Sequence, residues 1–479
     1  MPVRRIGSSS SIITRRTNFQ GRSAIINQPV VAFPWRTLYQ GVYTSGAGSV
    51  AASSDRGGQS QHTWYFIAPG VTSIRAVFGN TAYNANSPAG EYTTGLSTLT
   101  VGMSWNSPKN IAANGWRYGT FLGGNNTISI PPGALIASDP VPVVGVVGAP
   151  FWSRTWLQIP AGGSFPLGMV SSAFSLSGLP IIALDASSCG HNYPQSNPFN
   201  NGNNTGADKR LVQGVSGDGG DGGALWISTY GDHSYGPLGI IGTCATPNIP
   251  VVAIIGDSNA EGLGDAWAEL GIFQRALLAA GLTGIKLAFS GDSAYQFTPL
   301  TQRLMRQLLL EACTHAICEY PSNDIGAGQT LAQCQSSVLS IGLLCSSLGI
   351  PIWQTTLPPR TTSPQSSANL QTVLSTESVR ISWNHWVRDG MPINSSYSPL
   401  AVGSNSAIRV GQAGHPFSGV FDTGALIEVN ASNQFQLDGG FWYCGPGNNT
   451  VYSNDGTHYN GLAAVLMQQG ITTSVFTVN

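Results

Sequence analysis

Four short segments carry the residue types of nucleophilic acyl transfer: Gly256-Asp257-Ser258-Asn259, Ser290-Gly291-Asp292-Ser293, Ser322-Asn323-Asp324 and Asp455-Gly456-Thr457-His458. A serine hydroxyl is a poor nucleophile until an imidazole removes its proton and a carboxylate holds that imidazole in the right tautomer. His458 can serve Ser258 in the first role, and Asp455, three residues earlier, can serve in the second. The oxyanion of a tetrahedral intermediate needs donors already in place. The backbone N–H groups of Ser258 and Gly291 and the side-chain amide of Asn323 would supply three.

Taken singly, each segment has a plainer explanation: a Gly-Asp-Ser turn, an asparagine capping a helix, an Asp-x-x-His ahead of a helix. Their order and the strands before them make the set specific. The second Gly-Asp-Ser, at 291–293, competes for the role of nucleophile. Ser258 is preferred because it follows the first strand of its domain and has Gly262 four residues on, whereas Gly291 fills the oxyanion position. His315, His385 and His415 have no aspartate at the corresponding spacing and are expected to be structural.

The elements that must position these groups follow Ile249-Pro250, where strand and helix patterns alternate as in a parallel sheet covered on both faces. Strands are predicted at 251–255, 285–289, 316–320, 351–357 and 419–427, and helices at 266–280, 299–312, 331–348, 367–388 and 460–469. In the second helix Leu300, Leu304, Leu308 and Ala312 form one apolar stripe. Open sheets of this kind gather reactive groups beyond the carboxyl ends of their strands, where Ser258, Gly291 and Asn323 fall. The expected architecture is a three-layer α/β domain of flavodoxin-like type over 246–479.

Before it, 27–245 reads as β-rich: short alternating runs separated by Gly, Pro and Asn clusters. Leu99, Val101, Met103 and Trp105 alternate with Thr100, Gly102 and Ser104; runs at 128–130, 143–147 and 156–159 repeat the pattern. A jelly-roll-like β-sandwich accessory domain is expected. The segment 197–223 reads as a surface loop; its Asp218 and Asp221 are too few for a calcium site.

With these residues in place, 251–472 resembles an SGNH, or GDSL, hydrolase. Gly256-Asp257-Ser258 with Gly262 matches the family's first block, Gly291 the second, Asn323-Asp324 the third and Asp455-x-x-His458 the fifth. The resemblance implies a Ser258 nucleophile, a His458 base, Asp455 orienting it, an oxyanion hole of Ser258, Gly291 and Asn323, and no cofactor. Nothing in 1–245 belongs to it. Two departures stand out: Asn259 replaces the usual leucine, and the long interval from Asn323 to Asp455 holds an extended segment, 391–454, expected to help build the substrate site.

Only 9% of residues are charged, against roughly 25% in an average soluble protein. Such a surface suits neutral glycan, and a net charge of −1 offers no footprint for nucleic acid. No apolar run is long enough to span a membrane. The seven cysteines show no metal-ligand spacing; most are expected to be core thiols, with a disulfide at Cys444 open. The arm 1–26 has Arg4, Arg5, Arg15 and Arg16 but no apolar secretory core. A processed chain, an unconventional export route or release by lysis within a phage particle would each account for that, the last making the arm an anchor to virion proteins. The expected activity is removal of O-acetyl groups from a polysaccharide by an extracellular or virion enzyme, supported by aromatic loops such as Phe441-Trp442-Tyr443. A lipid or acyl esterase, and a non-catalytic virion or glycan-binding protein, are the alternatives; a homo-oligomer is compatible with each.

Overall fold

The computed structural model describes residues 31–33, 41–44, 56–84, 90–106, 117–160, 163–169, 233–245, 249–265, 270–299, 304–362 and 367–478. The basic arm, the 197–223 segment and Cys189 lie outside them.

In the N-terminal half, the alternating run becomes the strand Leu99–Asn106, with Leu99, Val101, Met103 and Trp105 buried. It belongs to a six-stranded antiparallel sheet in the order Ala32–Phe33, Arg56–Phe66, Pro150–Ile159, Leu99–Asn106, Arg117–Gly119, with Thr127–Ile130 also paired to Leu99–Asn106. A second antiparallel sheet is built on Val71–Gly79, which pairs with Leu135–Ala137, Val141–Pro142 and Gly239–Cys244. Trp64, Val101 and Phe151 of the first sheet share one core with Ile74, Val77 and Ile240 of the second. The strand expected at 143–147 is not formed. Regular pairing stops at Pro142; beyond it the Val143 and Gly145 N–H groups still reach the Thr72 and Val71 carbonyls, while Val144, Val146 and Val147 are exposed. A separate ribbon pairs Ala82–Asn84 with Gly90–Tyr92, setting Tyr83 opposite Glu91.

The C-terminal half is an α/β domain with five parallel strands: β1 (Val251–Ile255), β2 (Thr283–Lys286), β3 (His315–Cys318), β4 (Ile352–Thr355) and β5 (Gly419–Phe421). Their spatial order is 2-1-3-4-5, the flavodoxin-like order. Its helices are α1 (Ser258–Glu261), α2 (Gly271–Ala279), α3 (Ala294–Phe297), α4 (Leu304–Leu310), α5 (Ser322–Gly326), α6 (Leu331–Ser347), α7 (Glu377–Arg388) and α8 (Gly461–Met467).

Alternate residues of β1 feed opposite faces, as the period of 2 requires. Val251, Ala253 and Ile255 join a core with Leu309 of α4 and Val338 and Cys345 of α6. Val252 and Ile254 join another with Ile272, Phe273 and Leu277 of α2 and Ala463 and Met467 of α8. The sheet is therefore sandwiched between helices, each buried Leu or Ile contributing about 1.5–3 kcal/mol. Thr330 and Gln333 form a reciprocal capping box that starts α6.

Local chemistry accounts for the shifts from the predicted elements. The helix expected at 367–388 divides into a 3-10 turn, Ala368–Leu370, and α7. Between them Gln371 is extended because its side chain bonds both the N–H and the C=O of Trp442, at 2.8 Å each. The run 419–427 leaves the sheet after Phe421, where Thr356 Oγ1 takes the Gly424 N–H and begins a turn. No disulfide joins the six described cysteines; Cys334 and Cys345 are fully buried on α6, and Cys444 is buried as well.

The extended segment 391–454 is tied to the domain through Arg380 of α7. Its guanidinium bonds Glu377 at 2.5 Å, Glu428, and the Leu357 carbonyl at 3.0 Å, while Glu428 also accepts the Gly440 N–H. Breaking such a buried pair from one side leaves an uncompensated charge. Arg380→Ala is expected to lower stability by about 3–5 kcal/mol, read as a fall in the urea midpoint. A change below about 1 kcal/mol, the range of an exposed pair, would contradict this role.

Candidate active site

The nucleophile turn begins where β1 ends. A side chain at Gly256 would meet Ala260 Cβ at 2.4 Å and Glu319 Oε2 at 2.9 Å, so the close approach of β1 and β3 requires glycine there. Asp257 follows as the cap of α1, accepting the Asn259 N–H at 3.0 Å. Ser258 is then the first residue of α1, only 5% exposed.

Asp455 and His458 reach this turn from a loop before α8. His458 Nε2 lies 2.8 Å from Ser258 Oγ, and His458 Nδ1 lies 2.6 Å from Asp455 Oδ2. A carboxylate only accepts, so Nδ1 carries the hydrogen and Nε2 is left as the acceptor for the serine O–H. Asp455 Oδ1 takes the N–H groups of Thr457 and His458, both at 2.8 Å. Partial burial pushes the Asp455 carboxyl up, but the backbone N–H and imidazole of His458 and the Thr457 N–H outweigh it and hold the group below the usual carboxylate range.

The loop itself is braced. Ser453 Oγ donates to the His458 carbonyl and accepts the Gly456 N–H, both at 2.8 Å. Gly456 has φ 85° and packs where a Cβ would sit 2.5 Å from the Thr361 carbonyl oxygen. Trp442 Nε1 donates to the Gly456 carbonyl at 3.0 Å. Tyr459 donates to the Asn259 carbonyl, linking the histidine loop to α1. Asn259, the departure from leucine noted above, is buried and leaves the serine geometry intact.

Gly291 and Asn323 come to the same edge from β2 and β3. Gly291 has φ 79°, a backbone conformation that favours glycine. Among the described residues no acceptor takes the N–H of Ser258 or of Gly291. Asn323 is fixed at both ends: its N–H donates to Asp257 Oδ2 at 3.3 Å, and its Nδ2 donates to the Asp292 carbonyl at 2.9 Å. One hydrogen of that amide therefore remains for another acceptor. All five residues expected from the sequence thus meet at one edge of the sheet.

The competing residues are elsewhere engaged or inert. Ser293 is buried with no partner for its Oγ. His315 bonds Thr314 and packs on Trp353 and Phe476, and His415 donates from Nε2 to the Met391 carbonyl and accepts the Phe417 N–H at Nδ1. His385 does have an aspartate, Asp438 at 2.7 Å, which the search for local spacing missed because it lies 53 residues away.

Two carboxyls, Glu319 and Asp324, have supporting roles that the motifs do not assign. Glu319 lies beneath the turn, its Oε2 3.4 Å from the Asp257 N. Burial raises the carboxyls of both Asp257 and Glu319, and the pair keeps a proton on Glu319, because two backbone N–H groups favour the charge on Asp257. Aligning the ends of β1 and β3, where Ile255 stands opposite Cys318, would have revealed their proximity. Asp324 accepts the N–H groups of Ala294 and Tyr295 at 2.8 and 3.2 Å, holding α3 directly after the Gly291 turn. Burial pushes its carboxyl up to about 7 against those two donors.

No family model matches the chain, and no curated protein matches it. Among solved structures, it is similar to a GDSL-like lipase from Bacteroides thetaiotaomicron, at 13% identity and TM-score 0.28 over 47% of this chain and 87% of that one. It is similar to a lipase from a goat rumen metagenome at 11% identity and TM-score 0.31, over 48% and 98% of the two chains. A member of the lipolytic G-D-S-L family from Veillonella parvula has 12% identity and TM-score 0.28, over 46% and 95%. At these values the likenesses carry no weight in assigning chemistry, which rests on the geometry above.

The raised Asp324 carboxyl has a consequence for stability. Its folded pKa exceeds its unfolded one, so the folded state binds the extra proton between about pH 4 and 7 and stability is lost as pH rises through that window. Asp324→Asn should flatten the dependence of unfolding free energy on pH across this range, by up to about 1.4 kcal/mol per pH unit. Parallel curves for the variant and the unmodified chain would show that Asp324 does not titrate there.

Proposed function

We propose that the chain is a serine-type carboxylic ester hydrolase that removes O-acetyl groups from a glycan. The observation that carries this reading is the continuous relay from Asp455 through His458 to Ser258, at 2.6 and 2.8 Å. Ser258 Oγ attacks the ester carbonyl carbon while His458 Nε2 takes its proton. The oxyanion is held by the N–H groups of Ser258 and Gly291 and by the remaining amide hydrogen of Asn323. Collapse breaks the bond to the alcohol, which leaves with the proton from His458. Water, deprotonated by the same imidazole, then attacks the acyl-serine; acetate is released and Ser258 regains its hydrogen. Asp455 stays ionised throughout and stabilises the imidazolium.

A neutral glycan is favoured by the low charge of the chain and by aromatic side chains in the segments around Gly291 and before Asp455. Tyr295, four residues after Gly291, is 44% exposed. The half-buried Tyr443 packs between Phe435 and Tyr452, with centroids 4.7 and 4.9 Å away. Trp442, by contrast, is fully buried and braces the Gly456 turn, so it is removed from the sugar-facing set. In this reading the β-rich half, with two antiparallel sheets on one core, is a jelly-roll-like accessory domain. The setting is extracellular or on a virion such as a phage tail, where host glycan is the substrate.

The full chain should hydrolyse p-nitrophenyl acetate faster than longer acyl esters and should release acetate from acetylated polysaccharide. Ser258→Ala should abolish both activities, and Asn323→Ala should lower kcat by about 10²–10³. Equal turnover in Ser258→Ala would overturn the assignment; a preference for long acyl chains would redirect it to lipid esters.

A further inference from the structure

The ribbon of the N-terminal half enters the α/β domain as a pair of side chains. Tyr83 and Glu91 are cross-strand partners, which puts them on one face of the ribbon. Tyr83 stacks on Phe289, with centroids 3.8 Å apart and planes 5° from parallel, two residues before Gly291. Glu91 accepts the N–H of Met305 and, at 3.0 Å each, the N–H and Nε of Arg306 on α4. The Arg306 guanidinium then donates to Asp292, and Tyr320 donates to the same carboxylate oxygen. The side chains of Glu91, Arg306 and Asp292 are 1%, 0% and 0% exposed. Phe297 and Phe289 close over the guanidinium at 4.7 and 4.9 Å.

The chain of contacts ends at two oxyanion donors. Asp292 is bonded covalently to Gly291, and its carbonyl orients Asn323 Nδ2 at 2.9 Å. We infer that Glu91, from the β-rich half, is a positioning residue for the oxyanion hole, acting through Arg306 and Asp292, so that the N-terminal half is an integral part of the catalytic unit. A buried guanidinium that loses one carboxylate is left undercompensated and no longer fixed on that side, so its bond to the remaining carboxylate is free to reorient. Here the remaining one is Asp292, and its movement would carry Gly291 and Asn323 out of line. Apolar contacts such as Tyr83 with Phe289, within a core shared by both halves, would suffice to dock them; a charge relay through a buried arginine fixes direction as well as distance.

This rests on the esterase reading, and kinetics on the full chain can separate the two. Turnover of p-nitrophenyl acetate and of its thiono analogue would be compared for the unmodified protein, Glu91→Gln and Glu91→Asp, each normalised to folded protein. Sulfur accepts hydrogen bonds poorly, so a well-placed oxyanion hole favours the oxo ester. Glu91→Gln should lower kcat on the oxo ester by about tenfold or more with KM within about twofold, and should narrow the oxo-to-thiono preference. If Glu91→Gln does not fold, Glu91→Asp decides by the same criteria, since it keeps the charge but is too short to hold both the Arg306 N–H and its Nε. Unchanged kcat and oxo-to-thiono ratio per folded molecule would overturn the positioning role while leaving the esterase reading intact. Absence of turnover on either ester in the unmodified protein would overturn both.

Discussion

The site depends on one constraint, that the five strands of the α/β sheet run the same way. Parallel pairing puts every carboxyl end at one edge, with neighbouring strands about 4.8 Å apart. The order 2-1-3 then makes the turns after β2, β1 and β3 adjacent, and these turns carry Gly291, Ser258 and Asn323. Topology alone brings the two backbone donors and the position of the third, the Asn323 side chain, to one place. The histidine alone must come from far away in the chain. Its loop is correspondingly the most heavily braced part of the site, through Ser453, Trp442, Tyr459 and the close packing of Gly456 on Thr361.

Charges buried around this edge serve geometry more than stability. An ion pair taken from water into the interior roughly breaks even against apolar packing. Yet Arg380 with Glu377 and Glu428, Arg306 with Glu91 and Asp292, and Asp257 with Glu319 are all buried next to segments that shape the site. Each fixes the direction of a neighbouring turn, something apolar contacts do poorly. Arg380 holds the extended segment whose Trp442 supports Gly456. Asp257 joins the nucleophile turn to Asn323 through two N–H groups, at 3.0 and 3.3 Å.

The parts of this arrangement legible in the sequence were those with local signatures. Ser258, Gly291, Asn323, Asp455 and His458 sit in short motifs next to strands whose apolar runs are unambiguous, and β1 was read to its last residue. Boundaries were lost where a distant side chain dictated the backbone, as at Gln371, which is held extended by Trp442 rather than continuing a helix. The supporting carboxyls were illegible for a related reason. Glu91 and Arg306 are 215 residues apart and belong to different halves, so no periodicity or spacing links them. The aromatic loop at 441–443 misled in part, because composition does not distinguish the buried Trp442 from the half-buried Phe441 and Tyr443.

The central claim is that one serine among many is activated by the Asp455–His458 relay. Its most direct test is covalent labelling of the full chain with a p-nitrophenyl alkylphosphonate, with the modified residue located by peptide mass spectrometry. The relay predicts one phosphonyl group per chain, on Ser258, and none on the same timescale in His458→Ala. Label on Ser293, or an unlabelled Ser258 in the unmodified protein, would contradict it.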